Sequence, residues 1–273
     1  MERADGLLRV AAVRYTLSLD KLFTLPTDEV GEGLFDQDNP NSLRVILTRA
    51  RENARGVQDH ITKEVWEAVN AIYHLVEGHS LEDQFSSFGA LHVMEQFTRH
   101  CVLYAGITDI TMPRGVGWNF MNLGKYMERS LQTLALSDKE FQVIDYNMEE
   151  TRDIMQWRYL LLCLSGYELH LKTYRSSSYN FNALHQVLFN EDFPHSLIYS
   201  LTRLQRHLNA IVKENRSPES EALLRHFGRI YSKAKYMDPE SINGRTLQQL
   251  FGETRTELLL FGRRLGQHFF SYS

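Results

Sequence analysis

The chain is predicted to be all-α, a multi-helix bundle, on three observations. Apolar residues recur at three- and four-residue spacing almost from end to end. Glycine and proline number only 16 and 6 in 273 residues, which leaves little room for the turn density of an all-β protein. The periodic stretches are separated by short, breaker-containing loops, the connections expected between packed helices. The length suffices for a large core, as one big domain or two intimate halves.

The first helix follows from Leu8, Ala11, Ala12, Tyr15, Leu19 and Leu22, and gives way to an acidic loop from Thr24 to Asn39. Asn39-Pro40-Asn41-Ser42 supplies helix-start chemistry for a second helix with Leu43, Ile46, Leu47, Ala50, Ala54 and Val57 on one stripe. Thr62 is the expected N-cap of a third, with Val65, Trp66, Val69, Ile72, Tyr73 and Val76 behind it and Gly78 as its stop. A fourth runs from about Leu81 to Ala105, and Ile107 to Gly117 is the connector to the second half. Trp118 to Leu136 follows, with Phe120, Leu123, Met127, Leu131 and Leu134 on one face and Trp118, Met121, Lys125 and Glu128 on its flank. Asp138 is then expected to cap one very long helix ending near Tyr174, which Ser176-Ser177-Ser178 breaks. Helices near Phe181–Leu188, His195–Lys213, Glu219–Lys235 and Thr246–Phe270 complete the chain.

Two internal echoes favour a duplicated helical unit, with repeats over 1–110 and 113–273 and the long helix inserted in the second half. Met1-Glu2-Arg3 returns as Met127-Glu128-Arg129. The run from Pro40 to Arg49 returns as Pro194 to Arg203, sharing Pro, Ser, two Leu, Thr and Arg in register, with Ile72-Tyr73 and Ile230-Tyr231 following. The whole chain, 1–273, nevertheless reads as a single helical domain.

The net charge of −4, with no basic stripe, argues against nucleic acid as a partner. The longest apolar run, Tyr159 to Leu164, is far short of the ~20 residues that cross a bilayer, so no membrane span is expected. Cys101 and Cys163 both sit in apolar helical segments and read as buried reduced thiols, consistent with a cytoplasmic compartment. Helical pattern starts at Met1 without a cap, so further residues are expected upstream.

The charged constellations each admit a functional and a structural reading. Glu2 with Arg129 and Glu128 with Arg3 are suited to reciprocal charge-assisted pairs about a pseudo-twofold axis; such pairs equally set helix register, or face water. Arg49, Arg51, Glu52 and Arg55 gather cations on one helix, fit either to hold a carboxylate or phosphate or to form a solvated, ion-paired face. Glu64 and Glu67 beside Trp66 are similarly open. No glutamate has a histidine three residues later, as a di-iron bundle requires, and neither His-Glu-x-x-His nor Cys-x-x-Cys occurs; no metal or cofactor is therefore expected. There is no Walker-type loop, and Arg114-Gly115-Val116-Gly117 is a weak anion-site signal beside the simpler reading of an interdomain turn.

Asn39-Pro40 with Ser42, Ala50-Arg51-Glu52-Asn53-Ala54-Arg55, Glu64 to Asn70, Gly117-Trp118 through Gly124, Tyr126, Glu128 and Arg129, and Phe193-Pro194-His195-Ser196-Leu197 together resemble the bacterial alpha-E family, in order over nearly the whole chain. Members of that family usually carry another stretch before the first Tyr-x-Glu-Arg, where this chain begins at Met-Glu-Arg. The resemblance implies a helical companion of circularly permuted ATP-grasp proteins in peptide or amide modification systems. It maps the family's glutamates to Glu2, Glu52, Glu64 and Glu128.

The leading expectation is an accessory helical protein acting with an ATP-grasp amide ligase. It would present Arg51, Glu52, Arg55, Glu64, Trp66, Trp118, Glu128 and Arg129 to the ligase or to a peptide. The rivals are an enzyme using its glutamates for acid-base or metal chemistry in a helical pocket, and a structural bundle that dimerises. A homo-oligomer is compatible with either.

Overall fold

The computed structural model describes residues 1–19, 31, 33–78, 85, 89–149 and 153–270. The described helices are α1 Glu2–Leu19, α2 Leu43–Gly56, α3 Lys63–Val76, α4 Ala90–Thr111, α5 Val116–Gln142, α6 Ile154–Cys163, α7 Tyr167–Thr173, α8 Tyr179–Leu188, α9 Leu197–Glu214, α10 Pro218–Lys235 and α11 Gly244–Phe270. Short 3-10 turns occur at Gln58–His60 and Pro239–Ser241, and no strand occurs among the described residues, so the chain is all-α as its periodicity predicts. It divides into two compact units, Met1–Gly117 and Trp118–Ser273.

In the first unit α3 packs on both α2 and α4, and α1 lies against α4. Leu8, Leu43, Leu47, Ile72, Val76 and Phe97 form its interior. The stripe predicted for α1 buries Leu8, but Leu19 is 60 % exposed and Leu22 lies outside the described residues. Residues 33–35, expected in a loop, are helical, and Leu34 and Phe35 join the core. The fourth helix extends past Ala105 to Thr111, so the connector is shorter than predicted. Its last turn holds because the Thr111 hydroxyl donates back to the Ile107 carbonyl at 2.8 Å.

In the second unit α9 packs against α8 and α10, and α10 against α11. The single long helix expected from Asp138 to Tyr174 does not form. Asp138 lies inside α5 and, instead of capping, its carboxylate accepts the Tyr146 hydroxyl proton at 2.7 Å. Asp145 and Tyr146 adopt left-handed backbone at φ 49° and 54°, which stops the chain from continuing as helix. Asp153 begins α6 with a capping box closed by Gln156. Ser165, at φ 56°, ends that helix and admits α7. Gly244 is required beside the first turn, because a Cβ there would stand 2.7 Å from the Tyr146 carbonyl oxygen.

The echoed segments are alike in local geometry. Ser42 caps α2 at φ −67°, ψ 155° and accepts from the Val45 N–H; Ser196 caps α9 at φ −71°, ψ 154° and accepts from the Tyr199 N–H. Behind them Leu43 and Leu47, and Leu197 and Leu201, are buried in their own units. Both cysteines are buried and free, and burial foremost pushes the Cys101 thiol up to about 12, leaving it without thiolate at neutral pH. Among the described residues no helix is long and apolar enough to cross a membrane.

Gly166 marks the tightest approach among α6, α7 and α8: an added Cβ would meet Gln186 Nε2 at 2.5 Å and Phe193 Cζ at 2.6 Å, both fully packed side chains. Gly166→Ala is expected to cost about 1–3 kcal/mol by overpacking. Gly228→Ala, in mid-helix with nothing within 4 Å, should raise stability by about 0.5–1 kcal/mol. Urea denaturation of the two variants at equal pH checks both signs.

Candidate functional site

In the first unit the Thr62 cap fixes where α3 starts, and its hydroxyl shares a 2.8 Å hydrogen bond with that of Thr111 at the end of α4. With Val65, Val69, Ile72 and Val76 turned into the core, Trp66, Asn70 and Tyr73 line the adjacent stripe of the same helix. Arg51 of α2 lies against that stripe. Its Nε donates to Asn70 Oδ1 at 2.7 Å, and its guanidinium carbon is 4.4 Å from the Tyr73 ring centre and 5.8 Å from that of Trp66.

This arrangement orients the guanidinium without neutralising it. The amide is uncharged and the rings offer only their π faces, so the positive charge is kept. Beyond Asn70 and the two rings, Arg51 has no hydrogen bond or ion pair among the described residues, which leaves the Nη fork for a planar anion. Glu52, Arg55 and Glu64 are exposed in the same unit, and neither glutamate forms an ion pair among the described residues.

In the second unit the candidates are carried by α5. Glu128 Oε1 accepts from Gln132 Nε2 at 3.4 Å, while Arg129 Nη1 donates to the Pro194 carbonyl at 3.2 Å and its guanidinium lies 5.5 Å from the Tyr126 ring centre. One turn on, Thr133 donates to the His195 carbonyl at 2.8 Å, so α5 grips the turn that leads into α9 twice. Tyr126 also stacks on His207 at 6.0 Å and 12°, and lies near Tyr199 at 6.3 Å. Lys125 stands over Tyr126 and Arg203 over Tyr199. Trp118 is half-buried at the start of this helix, its carbonyl accepting from Asn122 Nδ2 at 3.0 Å.

His207 is 9 % exposed, and its Nδ1 donates to Asn119 Oδ1 at 2.9 Å. Burial, then the cations Arg206, Arg203 and Lys125, push its pKa down to about 4, so the imidazole is neutral at physiological pH.

Of the residues predicted from sequence, Arg51 and Trp66 come together, and Arg129 meets the Pro194 turn while Glu128 accepts from Gln132 on its own helix. Glu52, Arg55 and Glu64 share the first unit with Arg51, whereas Trp118, Glu128 and Arg129 belong to the second. Sequence reasoning missed Asn70 as a partner and treated Tyr73 only as core; their spacing of four and seven residues from Trp66 was the available signal. Tyr199 and His207 had none, because contacts between α5 and α9 are non-local. Among the described residues no group of three or more His, Cys, Asp or Glu is placed to hold a metal ion.

The profile of a family described as a predicted alpha-helical domain with a conserved ER motif matches residues 26–270. Within that span the Glu-Arg dipeptide occurs at Glu128-Arg129. The chain is also 25 % identical over 194 residues to uncharacterized proteins of Mycobacterium bovis and Mycobacterium tuberculosis, over 69 % of its own length and 21 % of theirs. It thus spans a minor part of those relatives. No solved structure matches it.

Arg51→Met and Asn70→Ala are each expected to lower stability by about 0.5–2 kcal/mol, as a hydrogen bond to a charged group and its ring contacts are lost; chemical denaturation of both variants measures it. A pH dependence follows from His207. Its unfolded-state pKa of about 6.5 exceeds the folded value of about 4, so the unfolded chain takes up the proton first as pH falls. The group is neutral in both states above the unfolded value, and stability declines from there down to about pH 4. His207→Gln should flatten that decline, read as a smaller loss of denaturation midpoint between pH 7 and 4.5 than in the parent.

Proposed function

Because the chain belongs to the Alpha-E family, we propose that it is an accessory helical protein that acts with an ATP-grasp amide ligase and binds a carboxylate-bearing partner, either the ligase surface or the peptide it modifies. The observation that carries this reading is Arg51, whose guanidinium is oriented by Asn70, Tyr73 and Trp66 with its Nη fork left for an anion. Amide-forming ligases act on carboxylates, and a pre-oriented arginine fork is the side chain best matched to one. Exposed Arg55 adds a second cation one turn along the same helix. The like-capped helices beginning at Leu43 and Leu197 support the further reading that the two units derive from one duplicated helical element.

Calorimetric titration of the purified chain against an ATP-grasp amide ligase from the same organism, and against carboxylate-bearing peptides, tests the proposal. Micromolar binding is expected, weakened about tenfold, or 1.4 kcal/mol, in Arg51→Lys, which keeps the charge but loses the planar fork. Absence of binding to both partners by the parent chain overturns the accessory role. Full-strength binding by Arg51→Lys retains that role and removes Arg51 from it.

A further inference from the structure

A second cationic feature lies wholly within the second unit, where α10 and α11 pack side by side. Between their outer faces runs a groove of about 590 Å3, lined by His226, Arg229, Lys233, Glu253, Glu257 and Arg264 among others. That volume falls within the roughly 300–1,000 Å3 usual for small-molecule sites.

His226 is 3 % exposed, set between buried Leu223 and Ile230 on α10 and packed edge-on to Phe261 at 5.9 Å and 72°. Its Nε2 is 2.8 Å from Glu257 Oε2, and its Nδ1 is 3.4 Å from Arg264 Nη1. A guanidinium only donates, so Nδ1 is the acceptor and the proton resides on Nε2, donated to Glu257. Glu257 fixes the tautomer, the tautomer presents a lone pair, and that lone pair orients Arg264.

The charge balance of the groove follows from these partners. Lys233 is paired with Glu253, and Glu257 is engaged by the imidazole. Arg264 has no carboxylate partner among the described residues, and Arg229, exposed one turn from both His226 and Lys233, has no ion pair or hydrogen bond there. Three cationic side chains, Arg229, Lys233 and Arg264, thus face two carboxylates, Glu253 and Glu257, in one groove, and neither guanidinium is closed on a carboxylate among the described residues, one of them being held by a buried imidazole. An arginine already closed on a carboxylate would be a poor receptor, whereas one oriented by an imidazole retains its attraction for an anion.

We infer that this groove binds a small oxyanionic ligand, a carboxylate or a phosphate, through Arg264 and Arg229, with His226 and Glu257 as positioning residues. Two sources of such a group, an organic acid and a phosphate ester, share this chemistry and differ in which probe saturates the site.

The test uses the full chain with 15N-labelled histidine. The His226 ring nitrogens, assigned by their loss in His226→Asn, are followed by NMR while inorganic phosphate or succinate is added at constant ionic strength against chloride. A saturable shift is expected with at least one probe; saturation by phosphate alone assigns a phosphate ligand, and by succinate alone a carboxylate one. Half-saturation should rise at least tenfold in Arg264→Gln and in Arg229→Gln, and stay unchanged in Arg263→Gln, an exposed neighbour that does not line the groove. Failure of both probes to saturate in the parent chain overturns the inference, as does an unchanged half-saturation in both groove variants.

Discussion

The leucine seam of α9 is the interaction on which the second unit rests. Leu197, Leu201, Leu204, Leu208 and Ile211 repeat at four- and three-residue steps and are at most 1 % exposed. Each is worth roughly 1.5–3 kcal/mol when withdrawn from water, an upper range because unfolded chains are already partly collapsed. That seam fixes the rotation of α9 about its axis. Once it is fixed, Tyr199, Arg203 and His207 have no freedom to face elsewhere, and the buried imidazole is held against Asn119 and Tyr126. The polar arrangement is thus a consequence of apolar packing rather than a rival to it.

A common physical device recurs in separate parts of the molecule. Arg51 is positioned by an amide and two aromatic rings, and Arg264 by an imidazole. Uncharged acceptors impose geometry while leaving the cation's field intact, which a carboxylate partner would largely cancel at short range. Surface pairs such as Lys63 with Glu67 and Lys172 with Glu168 differ: both members are well exposed, and such pairs contribute little beyond solubility. The arginines oriented by neutral groups are accordingly the ones fit for recognition.

The segment between α5 and α8 shows where chemistry overrode periodicity. The apolar spacing from Phe141 through Leu169 is compatible with one helix, yet the chain turns three times. Tyr146 folds its ring into the core and its hydroxyl onto Asp138, a bond between groups eight residues apart that a continuous helix would hold more than two turns apart. Burial and the Asp138 carboxylate push that hydroxyl up to about 12, so it remains a donor at all ordinary pH. Farther on, Gln186 donates to the Gly166 carbonyl and accepts from His170, stitching α7 to α8 through wholly buried groups. These bonds compensate the left-handed residues that permit the turns.

By itself the sequence determined the all-α class, the helix start at Ser42, the cap at Thr62 and the apolar seams, and it named Arg51 and Trp66 among its candidate residues without joining them. Those features depend on local rules: helical period, cap stereochemistry and residue type over a few turns. Tertiary structure alone decided that Asp138 serves Tyr146 rather than a helix cap, that Asn70 and Tyr73 orient Arg51, and that His207 is neutral beside Asn119. It also decided the line from Arg264 through His226 to Glu257, whose members are separated by 31 and 38 residues in the chain. A hydrogen bond between helices depends on how each is rotated, and that rotation is set by the whole core rather than by the residues that form the bond.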